Sequence, residues 1–239
     1  MRAVDEDVAA ATRLIESLAP GDGTVQFRTP LAVDECRWFV LAVETGVVSF
    51  RECPTECFRF KKWGASGPDH FDTPDGKPRH LFSKPGAPEA WLNREYVPHL
   101  AAYAYAILDR GYDGITSSFS RYRTFSRDLI AKRSGQSYET DAEFYDRDGR
   151  VHLQIEAKAS PSQTAALAAA IERHGTLSGL PSAAAKEIEY VLDLAPRSLW
   201  VVGPGSIDPP TFVYRVEMNG PLDASFTRIA DLPAPPGDP

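Results

Sequence analysis

The sequence predicts an α/β protein in which helices flank a mixed central sheet, with an N-terminal accessory region. Three observations predict this class: a helical stretch at residues 89–110, a strand pair at 138–158 followed by helices, and two further strands near the C-terminus. Strands interspersed with helices in this way suit a sheet that is covered on its faces. We expect an accessory region at 1–88, a core at 89–220 and a proline-rich C-terminal tail at 221–239.

The N-terminal region divides into three segments. Residues 4–18 place acids in the first turn and carry an apolar stripe, which predicts a helix. Residues 37–50 (RWFVLAVETGVVSF) are predicted as one or two strands, broken at residues 45–46. Residues 64–88 are rich in Gly, Pro, Asp and His and lack periodicity, which predicts a loop or linker and a domain boundary.

The core region begins with the helical pattern of residues 89–110, and Gly111 is a favoured stop after it. Beyond the strand pair, Ser160 and Pro161 suit the N-cap and first position of a helix that runs to Gly175. The remaining predicted elements are a helix at 182–194 and strands at 198–202 and 211–217.

Residues 138–158 form the most informative stretch, a predicted hairpin. Two alternating runs flank residues 148–149, an Asp-Gly pair that favours a two-residue type I′ turn. Because strand side chains alternate between faces, one face of the hairpin is apolar and suits a core. The opposite face carries Asp141, Glu156 and Lys158.

The turn decides which side chains oppose each other. A two-residue turn pairs Tyr145 with His152 and Asp141 with Glu156, whose Cβ atoms would be about 4.5–5.5 Å apart. Like charges this close are destabilising unless a cation, such as a divalent metal ion, neutralises them. A four-residue loop would instead place Asp141 opposite Gln154.

An aspartate that ends one strand, followed by Glu-x-Lys on the next, resembles the PD-(D/E)xK nuclease superfamily, whose members share a restriction-endonuclease-like core. The resemblance covers about residues 90–218. It implies that Asp141, Glu156 and the backbone carbonyl of Ala157 bind Mg²⁺ or Mn²⁺. It also implies that Lys158 positions or activates the attacking water.

Three flanking positions extend or qualify the resemblance. Thr140 stands where the family name has proline, a position that varies among members. Many members carry a glutamate on the helix before the first core strand, and Glu95 is the candidate here, although Pro98 favours a helix start or kink close by. Gln163 matches the polar residue that members often carry at the start of the helix after Glu-x-Lys.

Two basic stretches are candidate contacts for nucleic-acid phosphates. The first, residues 120–133, interleaves cations with Tyr122 and Phe125, which suit stacking on bases or sugars. Its cations are Arg121, Arg123, Arg127, Lys132 and Arg133. The second is residues 58–63 (FRFKKW). For both stretches the alternative is a solvated face or a strand edge protected by charge.

Charge and hydropathy exclude some classes of protein. A net charge of −7 argues against a protein that coats nucleic acid, but leaves room for a local basic face. No apolar run approaches the roughly 18 residues of a membrane span, and the acidic N-terminus is unlike a signal peptide. We therefore expect a cytoplasmic protein without a membrane partner.

The cysteines predict no disulfide framework, because there are three of them in a chain of 239 residues. Cys53 and Cys57, with His70 or His80, are an alternative zinc set, although their spacing is wide for a zinc knuckle. Ordinary thiols are the favoured interpretation.

The resemblance implies a Mg²⁺- or Mn²⁺-dependent phosphodiesterase, an endonuclease of PD-(D/E)xK type that acts on nucleic acid, with DNA as the expected substrate. Restriction or phage defence is a setting suggested by fold analogy alone, and a homodimer or partner subunit would suit double-strand cutting. Two alternatives stay open: a catalytically inactive nuclease-fold binding module, and a regulatory α/β protein whose charged hairpin face docks a partner. No Gly-rich phosphate loop or Gly-x-Ser-x-Gly motif supports an NTPase or serine hydrolase.

Overall fold

The computed structural model describes residues 4–19, 25–27, 29–51, 57–61, 70–71, 79–83, 90–114, 116–125 and 137–237. The helices in these segments are α1 (Val4–Ser17), α2 (Val33–Glu44), α3 (Tyr96–Leu108), α4 (Pro161–His174), α5 (Ser182–Ile188) and α6 (Val191–Leu194). The N-terminal strands are β1 (Val25–Gln26), β2 (Val48–Arg51), β3 (Cys57–Lys61), β4 (His70–Phe71), β5 (Arg79–His80), β6 (Phe82–Ser83) and β7 (Ala90–Leu92). The remaining strands are β8 (Ser117–Thr124), β9 (Ser137–Tyr145), β10 (Val151–Ala157), β11 (Ser198–Val202), β12 (Phe212–Met218) and β13 (Ala224–Ile229).

The main sheet has six strands in the order β13-β12-β11-β10-β9-β8. Strands β10 and β11 are parallel, whereas every other neighbouring pair in this sheet is antiparallel. A parallel pair needs a crossover connection, and helices α4 to α6 supply it between β10 and β11. The predicted α/β class with a mixed central sheet is therefore confirmed.

Both faces of this sheet are covered. On one face Leu153, Ile155 and Trp200 belong to a core that includes buried residues of α1, α2 and α3. On the other face Leu199 and Val201 belong to a second core built with α4 to α6. All seven residues of β10 are consequently buried. On the charged face of the hairpin, Glu156 and Lys158 are therefore buried, whereas Asp141 is only partly buried.

Helix α2 joins the N-terminal region to the main sheet. The carboxylate of Asp34 accepts hydrogen bonds from the backbone amides of Gly205 (3.0 Å) and Ile207 (2.8 Å), in the loop that follows β11. The indole of Trp38 donates to Asp208 in the same loop at 3.2 Å. Residues 33–44 are therefore packed onto the structure formed by the predicted core.

The prediction of strands at residues 37–50 is wrong for most of that segment, since α2 runs to Glu44 and only β2 follows. A short apolar run without clear periodicity is compatible with a buried strand or a buried helix. The helix is favoured here because Asp34 and Glu35 occupy its first turn, where negative charge stabilises the helix. Glu35 also accepts a hydrogen bond from the amide of Ala32 at 2.6 Å.

Other boundaries also differ from the prediction. The helix expected at residues 89–110 begins only at Tyr96, after strand β7, so that Pro98 lies in its first turn. The helix expected at 182–194 is split into α5 and α6. Strand β13 was missed, because its residues were assigned to the C-terminal tail. It forms one edge of the main sheet.

Helix α4 is confirmed, together with its predicted ends. The hydroxyl of Ser160 accepts from the amide of Gln163, and Pro161 occupies the first turn. Gly175 ends the helix at φ 71°, a left-handed conformation that glycine adopts without steric cost.

Two small sheets complete the described N-terminal part: β1-β7-β6, and a second sheet in which β3 pairs with β2, β4 and β5. The backbone pairing of β3 and β5 sets Cys57 opposite His80. The proposed zinc ligands nevertheless lie outside the described side chains, as does the basic stretch at residues 58–63. Cys36 is a buried core residue, and burial raises the pKa of its thiol to about 12.

Within the described segments, no helix combines the length and apolarity needed to cross a membrane.

Candidate functional site

The turn of the hairpin differs from the prediction. The amide of Asp146 donates to the carbonyl of Arg150 (2.8 Å), and the amide of Gly149 donates to the carbonyl of Asp146 (3.0 Å). Gly149 has φ 74°. These features define a three-residue loop closed by a left-handed glycine, not a two-residue type I′ turn. As a result Tyr145 pairs with Val151, and the predicted pairing with His152 is wrong.

A β-bulge at His152 then restores the predicted register. The ladder shifts between Val151 and Leu153, and beyond the shift Gln154 pairs with Glu143 and Ile155 with Ala142. A bulge adds one residue to one strand, which cancels the offset introduced by the turn. The ladder ends at this pair, and continuing its register by one position would place Asp141 opposite Glu156. The four-residue-loop alternative, with Asp141 opposite Gln154, is excluded.

Asp141 lies where β9 parts from the end of β10. Its Oδ2 atom accepts a hydrogen bond from the backbone amide of Ala157 at 2.6 Å. Its Oδ1 atom lies 3.9 Å from Nδ1 of His99, a buried α3 residue whose ring stacks on Phe119 with centroids 3.6 Å apart. The carboxylate of Asp141 therefore bridges the sheet and helix α3.

Glu156 and Lys158 form a nearly buried ion pair at the end of β10, with 7% and 8% of their surfaces exposed. The Lys158 ammonium donates to Oε1 of Glu156 at 2.6 Å, and the hydroxyl of Tyr190 donates to Oε2 at 2.7 Å. The same ammonium donates to Oε2 of Glu187, on α5, at 2.5 Å. Three elements thus meet at this ion pair.

Glu95 immediately precedes α3 and brings a further carboxylate to the same place. It interacts electrostatically with Lys158 and Glu156, and with Asp141. Its position follows from its neighbour Arg94, which is 6% exposed and donates two hydrogen bonds to Glu35 on α2. The role of Glu95 as a third acid of the site stays a prediction.

Burial and mutual repulsion shape the ionisation of these groups. Burial raises the pKa of Asp141 well above its usual range, and the charges of Glu156 and Glu95 add to this effect. Burial likewise raises the pKa of Glu156 and of Glu95, although Lys158 opposes both shifts. Burial alone would lower the pKa of Lys158, but Glu156 and Glu187 outweigh it and the pKa is raised. One ammonium therefore faces an excess of carboxylates.

The oxygen atoms of this site are of the chemical type that binds Mg²⁺ and Mn²⁺, since these ions prefer carboxylate and carbonyl oxygens. The set implied by the family resemblance has two carboxylates and the carbonyl of Ala157. Among the described residues, no three or more His, Cys, Asp or Glu side chains are arranged to hold a metal ion. Lys158 contacts one oxygen of Glu156, Oε1, and the amide of Ala157 contacts one oxygen of Asp141, Oδ2.

Gln163 lies at the start of α4, as predicted, but its side chain is exposed and turned towards the helix cap. Its amide oxygen accepts from the hydroxyl of Ser160 at 3.1 Å. Gln163 thus takes part in capping the helix.

The basic stretch is used in two different ways. Arg121 is exposed on β8 and donates to the hydroxyl of Tyr145 at 3.1 Å. Arg123 instead donates two hydrogen bonds to Glu143, which is fully buried and also accepts from Thr140 at 2.6 Å. Arg123 therefore neutralises a buried acid. Arg127, Lys132 and Arg133 lie outside the described residues.

Three residues of the site were missed by sequence reasoning: His99, Tyr190 and Glu187. The place of His99 in a helical stretch suits an ordinary surface residue, yet its side chain is buried beside Asp141. Its spacing from Glu95, one helical turn, was a usable signal, because residues four apart share a helix face. Tyr190 and Glu187 belong to the crossover after β10, and no local motif marks them.

Comparisons of this chain with protein-family models, with curated proteins and with solved structures found no match. The class that the structure defines is a mixed α/β protein with a partly buried cluster of carboxylates around one lysine, at the end of β10 and beside the middle of β9.

Proposed function

We propose that this protein is a metal-dependent nuclease of PD-(D/E)xK type, with a restriction-endonuclease-like core, that hydrolyses phosphodiester bonds, with DNA as the expected substrate. One observation carries the proposal: Glu95, Asp141 and Glu156 converge around Lys158, and the pKa of each acid is raised by burial and by its neighbours. Acids that raise one another's pKa by repulsion are stabilised in their charged form by an added cation. Strongly perturbed groups of this kind cluster at functional sites.

The order of elements around the acids supports the same proposal. Helix α3 is followed by three antiparallel strands (β8, β9 and β10), by helices α4 to α6, and by β11, which is parallel to β10. The resemblance noted in the sequence implies this order. The acids belong to the second and third of these strands, and the glutamate candidate lies at the N-cap of the preceding helix.

In this proposal Asp141, Glu156 and the carbonyl of Ala157 would hold Mg²⁺ or Mn²⁺. When bound, the ion would neutralise charge on the scissile phosphate and lower the pKa of a coordinated water. The Lys158 ammonium would orient the attacking water or stabilise the charge that develops on the phosphate. Arg121, exposed on β8, would contact the nucleic-acid backbone, which fixes orientation without reading sequence.

A second candidate is a nuclease-fold binding module without catalysis. The observation that favours it is that both acids have hydrogen-bond donors within the protein. Lys158 donates to Glu156, and the amide of Ala157 donates to Asp141. A protein that has lost its metal could keep these contacts as structure. The two candidates differ in their response to Mg²⁺.

The first experiment incubates the pure protein with plasmid DNA, single-stranded DNA and RNA in Mg²⁺, Mn²⁺ or EDTA. The test variant is Glu156→Gln, which keeps the size of the side chain. The matched control is Glu172→Gln on α4, where the acid is exposed and pairs with Arg228 away from the cluster. Melting temperature is recorded in the same buffers, because a ligand that binds only the folded state raises it.

We expect metal-dependent cleavage that is lost in Glu156→Gln and kept in Glu172→Gln, with a rise in melting temperature on adding Mg²⁺ that Glu156→Gln abolishes. Absence of cleavage on every substrate, together with no metal-induced rise, would favour the binding module. Cleavage that persists in Glu156→Gln would remove the assignment of this site.

A further inference from the structure

Glu187 belongs to none of the patterns that mark the hairpin, yet it reaches the centre of the acid cluster. It is exposed at the end of α5, and half of its side-chain surface is in solvent. Its Oε2 atom nevertheless lies 2.5 Å from the Lys158 ammonium. A long, solvent-accessible side chain loses conformational freedom when it is held in one place. The contact between Glu187 and Lys158 must therefore contribute enough stabilisation to offset this loss of conformational freedom.

The geometry around Lys158 provides that explanation. The ammonium has three N–H donors and contacts carboxylates on two separate elements, Glu156 on the sheet and Glu187 on the crossover. Glu156 already accepts a second hydrogen bond, from Tyr190. If Glu156 turns an oxygen towards a metal ion, the ammonium loses part of its hold on that residue. Glu187 is then the acid that keeps Lys158 in place.

We propose that Glu187 is a positioning residue that holds the Lys158 ammonium beside the acid cluster while Glu156 is engaged with a cation. The inference rests on the proposed nuclease function, which it deepens by adding a residue from the crossover helix. Glu187 acts through Lys158 and touches neither substrate nor metal ion. When the hydrogen bond between Lys158 and Glu156 weakens, the hydrogen bond to Glu187 keeps the ammonium in place.

The test measures Lys158 directly and does not depend on cleavage. The protein is treated briefly with acetic anhydride, and acetylation of Lys158 is compared by peptide mass spectrometry with that of Lys186, an exposed lysine on the same helix as Glu187. The variants are Glu187→Ala, Glu187→Gln and, as the matched control, Glu172→Ala on α4. Alanine at these exposed helical positions preserves the helix.

We expect the Lys158-to-Lys186 labelling ratio to rise about fivefold in Glu187→Ala, the effect of losing one partly exposed ion pair. Adding Mg²⁺ should widen the difference between Glu187→Ala and the unmodified protein. Glu187→Gln retains an acceptor oxygen and should recover part of the protection. Glu172→Ala should match the unmodified protein. In cleavage assays kcat should fall about tenfold in Glu187→Ala with KM unchanged, as for other residues that orient a functional group.

An unchanged labelling ratio in Glu187→Ala would overturn the inference whether or not the protein cleaves nucleic acid. A raised ratio with unchanged kcat would overturn the positioning role and leave a structural ion pair. If the unmodified protein cleaves nothing, the proposed function fails and the catalytic role of Glu187 fails with it. The labelling ratio still shows in that case whether Glu187 holds Lys158, so the two failures are distinguishable.

Discussion

The carboxylate of Asp141 accepts a hydrogen bond from the backbone amide of Ala157, with 2.6 Å between Oδ2 and the amide nitrogen. A side chain of β9 thereby satisfies the backbone of β10 at the point where the two strands part. The contact fixes the direction of one carboxylate relative to Glu156. It also leaves the second oxygen of Asp141 facing α3 and His99.

This relationship predicts the effect of Asp141→Asn. The amide oxygen of asparagine can still accept from Ala157, while the negative charge that burial and its acidic neighbours disfavour is removed. We expect the metal-free protein to gain about 1 kcal/mol in the free energy of unfolding, since functional sites are often destabilised. Urea unfolding in EDTA measures this at neutral pH.

The control for this prediction is Asp223→Asn. Asp223 likewise accepts from a backbone amide, that of Ser178 at 2.9 Å, but lies outside the acid cluster. Its replacement should give no gain in stability. A lower stability for Asp141→Asn than for the unmodified protein would show that the charge of Asp141 is well compensated in the folded state.

Tyr190→Phe should destabilise the protein by roughly 1.5–3 kcal/mol, the usual range for a hydrogen bond to a charged group. Tyr190 is 3% exposed, and its hydroxyl donates to Glu156 at 2.7 Å. Phenylalanine keeps the ring and leaves that oxygen without its donor. Urea unfolding tests this against Tyr214→Phe, whose hydroxyl makes only long contacts of 3.3–3.4 Å. Equal effects of the two substitutions would contradict the prediction.

Arg94→Met should be the most destabilising of these changes, at about 3–5 kcal/mol, because it leaves the fully buried Glu35 without its charged partner. Replacing both residues, as Arg94→Met with Glu35→Leu, should recover a large part of the loss. Chemical unfolding of the two single variants and the double variant measures the coupling between the residues. Strictly additive losses would mean that the pair does not act as a unit.

His152 should make stability depend on pH below neutrality. Its Nε2 atom lies 3.0 Å from the carbonyl of Ala234, while its buried Nδ1 atom has no hydrogen-bond partner in the described part of the chain. Burial lowers the pKa of His152, and Arg197 acts in the same direction, although Ala234 and Asp146 oppose the shift. The unfolded chain therefore takes up the proton first, and stability falls as pH drops below about 6.5.

Melting temperatures between pH 5 and pH 8 test this prediction. In His152→Gln the loss of stability on the acid side should be smaller than in the unmodified protein. His174→Gln, at an exposed position on α4, serves as the control and should leave the profile unchanged. A profile for His152→Gln that overlies that of the unmodified protein would contradict the prediction.

Several features could be predicted from local patterns because they depend on neighbouring residues. Alternation placed Asp141, Glu156 and Lys158 on one strand face, and helix α4 has its predicted cap and its predicted glycine end. Other local predictions failed where two structures suit the same residues. The apolar run at 37–50 suits a helix or a strand, and the Asp-Gly pair at 148–149 suits more than one turn.

The register next to the acids matches the predicted register although the predicted turn was wrong, because the bulge at His152 offsets the turn by one residue. A bulge depends on contacts of the whole sheet, which a two-strand pattern does not contain. Strand β13 was missed for a related reason: its pairing partner β12 makes it a strand, whereas the proline-rich residues beyond it suggested a tail.

The sequence by itself determined the α/β class, the acids and lysine of the hairpin, and the capped helix that follows, since each depends on residues close together in the chain. Only the tertiary structure decided that Glu156 and Lys158 are buried and that other elements reach them and Asp141. Tyr190, Glu187 and His99 contact these side chains, and Glu95 interacts with them electrostatically. These residues come from α3 and from the crossover between β10 and β11. Their meeting depends on how helices pack on the two faces of the sheet, which is a property of long-range contacts and not of local sequence.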